Sequence, residues 1–204
     1  MGELEKDMKS YSQAGQDLWV LDNLNYKKKG FFLDIGAYDG VKFSNSYLLE
    51  KDYEWDGLLI EAHPNSVEKI IKIRSNKCLN YAISNENGKV YFESNEGTGS
   101  KVSNSGIEIN SITLTSLFEI YNVPHIIDYM SLDIEGYEFK ALEKFPFNTH
   151  KCLLLTVEHN LYCDGDKNKN KIKKILTENN YRIVKENVES EGKPFEDWYK
   201  YGNN

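Results

Sequence analysis

The sequence predicts an α/β fold, a mostly parallel sheet covered by helices on both faces. Two observations carry this. Short apolar runs alternate with stretches of helical periodicity, and the runs are apolar at consecutive positions, as strands buried on both faces are. No repeat and no long linker divides the 204 residues, so they read as a single domain over 1–204. The chain begins close to its first motif, as expected of one domain of a longer protein.

The elements follow in order. Phe31-Phe32-Leu33-Asp34-Ile35, flanked by Gly30 and Gly36, reads as a buried strand, and a helix is expected from about Ser44. Gly57-Leu58-Leu59-Ile60-Glu61 repeats the form and Pro64 follows it. Val67, Ile70, Ile71 and Ile73 then fall on roughly one helical face, with Asn65 or Ser66 available as N-cap. Cys78 to Ile83, Tyr129 to Ile134 and Cys152 to Val157 are further strands. Between the last two, Tyr137 to Phe145 reads as a helix stopped by Pro146. A basic amphipathic stretch, Lys169 to Leu176, leads to Tyr181-Arg182-Ile183-Val184. The departure from alternation lies between Lys89 and Ile112, where Val90-Tyr91-Phe92 precedes a Gly/Ser/Asn-rich stretch over 94–106, a loop on a hairpin and a candidate lid.

Composition narrows the function. Hydrophobic residues at 40% and charged residues at 28% describe a globular chain. Twenty-five Lys+Arg against 32 Asp+Glu leave a net charge of −7, which argues against nucleic acid as partner, since gripping phosphates needs a positive field. A small-molecule, sugar or protein substrate remains open. No run approaches the roughly 18 apolar residues of a membrane span, and the first residues lack an apolar signal segment. The Met1-Gly2 start also lacks the Ser or Thr at position 6 that myristoylation prefers. Cys78, Cys152 and Cys163 show no C-x-x-C spacing, so reduced thiols in the cytoplasm are expected.

Two places carry chemistry. The first strand runs from Asp34 into a turn with Gly36, Asp39 and Gly40, where glycines let a nucleotide approach the backbone. The second strand ends at Glu61, 21 residues past the turn, where an acid can accept from both ribose hydroxyls of an adenosine. G-x-x-x-G is not the G-x-G-x-x-G of dinucleotide binders, and Asp39 would repel a pyrophosphate. A cationic sulfonium with an amino-acid tail meets no such repulsion, so S-adenosylmethionine fits better than NAD. Farther on, strand ends carry Asp133 and Glu135, then Glu158 and His159. Open parallel sheets bind ligands beyond such ends. Oxygens and an imidazole there can hold a hard divalent cation or supply a general base. Asp133 alone would also serve as a helix cap, and His159 as a core or loop histidine. Glu138 is expected to face water.

The segments Tyr11-Ser12-Gln13-Ala14-Gly15-Gln16-Asp17, Phe31 to Gly40 with Ser44-Asn45, Ile60-Glu61-Ala62-His63-Pro64, Tyr81-Ala82-Ile83-Ser84, Ser131 to Glu138 and Glu158-His159-Asn160, in this order and spacing, resemble the FkbM-type class I methyltransferases over most of the chain. The resemblance implies S-adenosylmethionine as methyl donor and a hydroxyl acceptor on a sugar, glycolipid or polyketide. It also implies a Rossmann-like doubly wound seven-strand sheet with one antiparallel strand, for which Tyr181 to Val184 and Phe195 to Tyr201 are the late candidates. The likeness is nearest to sugar O-methyltransferase domains of large DNA viruses or bacterial glycan clusters. It places Asp34, Gly36 and Asp39 at the methionine part, Glu61 at the ribose, Ala82 and Ile83 at the adenine edge, and the segment holding Gln16 over the cofactor pocket, with Ser44 a further cofactor-binding residue. Set against the metal-dependent catechol O-methyltransferase pattern, Asp133, Glu158 and His159 occupy the positions that hold Mg²⁺ or Mn²⁺. Gly136 stands where that pattern has its lysine base, which leaves Glu135, His159 or Asp133 for the proton.

The function expected is therefore O-methylation of a sugar or glycan hydroxyl. A non-catalytic nucleotide-binding module would need none of the acids after the later strands, and an NAD-dependent oxidoreductase is disfavoured by the missing third glycine.

Overall fold

The computed structural model of the protein describes residues 8–92, 102–103 and 106–202, with the backbone alone at 102–103 and 163–164. In chain order the elements are α1 (Gln16–Asn23), β1 (Phe31–Ile35), α2 (Tyr47–Tyr53), β2 (Asp56–Glu61), α3 (Pro64–Ile73), β3 (Lys77–Asn80), β4 (Ala82–Ile83), β5 (Gly88–Phe92), β6 (Val102–Ser103), β7 (Ile107–Ile112), α4 (Leu114–Tyr121), β8 (Ile126–Leu132), α5 (Glu138–Leu142), β9 (Lys151–Glu158), α6 (Leu161–Asp164), α7 (Asp166–Glu178), β10 (Tyr181–Ser190) and β11 (Lys193–Tyr201).

Seven strands form one sheet in the order β10-β11-β9-β8-β1-β2-β3. Pairings from β3 across to β9 are parallel, and β11 runs antiparallel to both β9 and β10. This is the mostly parallel, Rossmann-like sheet with one antiparallel strand. Strands β1, β2 and β8 are buried along nearly their whole length because both faces are covered. On one face Leu33, Ile35, Leu132 and Val157 pack with Leu117, Phe118, Leu142 and Ile172 of α4, α5 and α7. On the other, Phe32, Leu59, Tyr129 and Leu154 pack with Val20, Leu21, Leu49 and Ile70 of α1, α2 and α3. The chain leaves β1 in opposite directions towards β2 and β8, so a crevice opens between the C-terminal ends of β1 and β8.

Several boundaries differ from expectation. The run Cys78–Ile83 is two strands, because the chain turns at Tyr81 and leaves the central sheet; β4 instead joins a four-stranded sheet ordered β4-β7-β5-β6. The expected hairpin is present as β5 paired antiparallel with β7, whereas the 94–101 and 104–105 portion of the expected lid lies outside the described residues. Helix α3 starts three residues before Val67, since Pro64 suits the first helical position and the His63 Nδ1 accepts from Asn65 N. Helix α2 starts at Tyr47 and not Ser44, and α5 is shorter than the predicted 137–145.

The turn after β1 is fixed by backbone contact. Gly36 has φ +92°, and a Cβ there would lie 1.8 Å from the Asp133 carbonyl oxygen. The same two strand ends are joined by Asp133 N donating to Ile35 O at 3.0 Å. Gly36→Ala is therefore expected to destabilise the protein by about 3 kcal/mol or more, measured by urea unfolding; a wild-type midpoint would contradict this packing.

Candidate active site

The crevice is a cleft of about 490 Å³, counting the space open to solvent. One wall is Asp34 of β1 with Gly36 and Tyr38 of the turn after it, and the next is Ser44 and Asn45, just before α2. Asp133 closes it from β8, and Gln16 and Phe195 from the α1 side.

Asp34 is 3% exposed. Burial pushes its carboxyl up, against the opposing pull of the Ser46 hydroxyl, 2.5 Å away, and the Arg74 guanidinium. Arg74, just past α3, donates to Gly40 O at 2.9 Å, Ser44 Oγ at 3.3 Å, Ser46 Oγ at 3.0 Å and Glu50 Oε2 at 2.7 Å. One buried cation thus ties the glycine turn to α2. Asn45 donates to Ser131 Oγ at 2.8 Å, and its Oδ1 is buried with no hydrogen-bond partner among the described residues. On the next strand end, Glu61 accepts from Tyr38 N at 2.8 Å and His63 N at 2.7 Å. Its burial outweighs these donors and pushes its carboxyl up to about 7.

The segment before α1 is held over the cleft by Asp17, which accepts from Ser10 Oγ, Ser12 Oγ and Tyr11 N at 2.6–2.8 Å. Ser12 bridges to Phe43, which also lines the cleft. Gln16 is buried, accepting from Ala14 N at 2.8 Å and donating to Glu196 Oε1 at 2.7 Å. Burial raises the Glu196 carboxyl to about 8.

At the ends of β8 and β9, Asp133, Glu135 and Glu158 each place a carboxylate oxygen within 4.8 Å of the others. Burial raises Asp133 to about 7 and Glu158 well above its usual range, with Asp133 the next cause at Glu158. Glu158 Oε2 is buried and has no hydrogen-bond partner among the described residues. Such a site holds more carboxylate than the fold compensates.

Other expectations need correction. His159 joins neither cluster nor cleft: its Nδ1 accepts from Leu161 N at 3.2 Å, and its Nε2 faces Asp197 Oδ1 at 3.3 Å. Both nitrogens are committed, so His159 is not placed to ligate a cation or take a proton. Alternation along the strand explains it, since neighbours on β9 point to opposite faces and Glu158 takes the side of Asp133. Asp39 does not line the cleft; its Oδ1 caps its own turn, accepting from Val41 N at 2.9 Å and Lys42 N at 2.7 Å. Ala82 and Ile83 are buried in β4, and neither they nor Glu61 line the cleft; Ala62, the neighbour of Glu61, packs against the Ala82 cluster. Glu138, expected in water, is 0% exposed. Asn45, Ser131, Phe195 and Arg74 were not singled out as site residues; Asn45, inside the Ser44-Asn45 match, and Ser131, at the head of the Ser131 to Glu138 match, carried a signal.

A family model for the methyltransferase FkbM domain matches residues 34–183. Among solved structures, a methyltransferase FkbM from Methylobacillus flagellatus KT superposes with TM-score 0.58 at 14% identity, covering 85% of this chain and 44% of that one. The chain thus spans less than half of that protein's length. A magnesium protoporphyrin IX methyltransferase from Synechocystis PCC 6803 with bound S-adenosylmethionine gives 0.55 at 10% identity over 91% and 76% of the two chains. TrmK of M. capricolum in complex with S-adenosylhomocysteine gives 0.51 at 12% identity over 97% and 72%. These likenesses show the fold. None of the curated proteins compared matches the sequence.

Proposed function

We propose, from the premise that this chain belongs to the FkbM family of class I S-adenosylmethionine-dependent methyltransferases, that it methylates a hydroxyl group of a sugar or glycan with the help of a divalent cation. The observation that carries the reading is the position of Asp133, which lines the cofactor cleft and belongs to the three-carboxylate cluster.

The residues fit the donor. Asp34 and the Asn45 Oδ1 present negative and acceptor groups to a cationic amino-acid tail, and Glu61 stands at the neighbouring strand end for the ribose. They fit a hard cation too, which Asp133, Glu135 and Glu158 would hold entirely through oxygen, with Mg²⁺ or Mn²⁺ the natural choices. Glu158 Oε2, buried and without a hydrogen-bond partner among the described residues, is the atom that asks for one.

When bound, S-adenosylmethionine supplies a methyl group on a positively charged sulfur. A bound cation supplies a Lewis acid that lowers an acceptor hydroxyl's pKa. The chain's own residues align and deprotonate. The 10–17 segment and Phe195 shield the cleft, and Asp133, which lines the cleft, is the residue we assign to take the hydroxyl proton. A site with this much carboxylate suits a neutral polyhydroxyl better than a phosphate-bearing acceptor.

The test is calorimetric titration with S-adenosylhomocysteine and with Mn²⁺, followed by a screen of mono- and oligosaccharides for gain of a methyl group by mass spectrometry. Binding of both ligands with methylation of a sugar is expected. Methylation of a nucleic acid or an amine in preference to every sugar would overturn the acceptor, and absence of Mn²⁺ binding would overturn the cation.

A further inference from the structure

We propose that Glu138 is a positioning residue that sets the 134–136 loop so that Glu135 faces Asp133 and Glu158; the inference rests on the reading of those acids as the cation site. The loop adopts consecutive left-handed conformations, Glu135 at φ +55° and Gly136 at φ +98°. Glycine accepts this without strain, whereas an L-residue such as Glu135 pays a steric cost and stays only where its surroundings hold it. Glu138 does the holding. Its Oε1 accepts from both Ile134 N and Gly136 N at 3.0 Å, on either side of Glu135. Its Oε2 accepts from Asn168 Nδ2 of α7 at 3.1 Å, which ties the loop to an element packed in the core. From the opposite side, Asn160 donates to Glu135 Oε2 at 3.4 Å. Glu135 is thus held by its backbone through Glu138 and by its carboxylate through Asn160.

Without the Glu138 carboxylate, two backbone N–H groups lose their acceptor and the left-handed loop loses its reason to persist. Glu135 then swings out of the cluster while Asp133 and Glu158, carried on β8 and β9, stay. The role separates from a merely structural one because a glutamine can restore it: its carbonyl oxygen accepts from the same two N–H groups, and the Asn168 amide can turn to present oxygen to the new NH₂.

The experiment is Mn²⁺ titration of the full chain, wild type against Glu138→Ala and Glu138→Gln, with S-adenosylhomocysteine titrated in parallel. Glu138→Ala is expected to weaken Mn²⁺ by about tenfold or more while Glu138→Gln stays near wild type, and S-adenosylhomocysteine should move little in either. Mn²⁺ binding unchanged in a folded Glu138→Ala protein overturns the proposal. If that variant does not fold, Asn168→Ala, which removes only the tie to α7, should weaken Mn²⁺ about threefold, and unchanged affinity there overturns it. If wild type binds no Mn²⁺, the cation reading fails by itself, and amide exchange decides the positioning role. Faster exchange of Ile134 and Gly136 in Glu138→Ala, reversed in Glu138→Gln, upholds it; unchanged exchange overturns it.

Discussion

Glu158→Gln is expected to lower methyl transfer by roughly two to four orders of magnitude, to abolish measurable Mn²⁺ binding, and yet to raise the melting temperature. The two directions come from one cause. Glu158 is 6% exposed and its Oε2 has no hydrogen-bond partner among the described residues, while burial and then the adjacent Asp133 push its carboxyl well above the ordinary range. A carboxyl raised in the folded state costs nothing at a pH below its unfolded value, where it is neutral in both states. The cost grows as pH rises towards the folded value, at up to about 1.4 kcal/mol per pH unit. A neutral isostere removes that cost, and its NH₂ can donate to Asp133. The stabilisation should therefore be present at pH 8 and absent at pH 4, as thermal melts at the two values would show. Binding of S-adenosylhomocysteine should hold within about threefold, since Glu158 does not line the cofactor cleft. A variant that is stabilised, binds the cofactor product and cannot turn over has lost chemistry, not folding. Full turnover in it would remove the cluster from the mechanism.

The sequence made the central sheet legible and half of the site. Strands β1, β2, β8 and β9 announce themselves because burial on both faces demands consecutive apolar residues, and the acids at their C-terminal ends then have one place to go. What failed was local geometry that a one-dimensional pattern does not carry. Glu158 and His159 look equivalent on paper, but the period of two sends one to Asp133 and the other to Asp197. Glu138 reads as a solvated helical acid because its hydrogen-bond partners are backbone groups of its own loop and a side chain thirty residues on. Arg74 was invisible for the same reason: it lies past the end of a helix and reaches back thirty-four residues to Gly40. The split between β3 and β4 hid inside a single apolar run, since switching sheets at Tyr81 changes partners without changing composition.

Acidification should weaken the cofactor and strengthen the empty protein. Glu61 is raised to about 7 by burial, against backbone donors from His63, Tyr38 and Ala62 that favour its ionised form. Ribose hydroxyls donate to a carboxylate, so the ligand selects the ionised state, and below about pH 7 each unit costs up to about tenfold in affinity as a proton must first leave. Folding has the opposite sign. The folded protein holds that proton more tightly than the unfolded chain does, so the protein without ligand gains stability as pH falls from 8 towards the unfolded value near 4.5. Glu61→Gln separates this from Asp34, a buried carboxyl that lines the cleft and whose burial raises it in the same sense. At pH 8 the variant should bind S-adenosylhomocysteine about ten- to a hundredfold more weakly than wild type, having lost a charge-assisted acceptor. At pH 5.5, where wild-type Glu61 is already protonated, the gap should close to a few-fold. Calorimetry at four pH values on both proteins reads this directly. Two parallel lines would move the pH dependence to Asp34 and take the ribose away from Glu61, whereas converging lines tie both to one carboxyl at the end of β2.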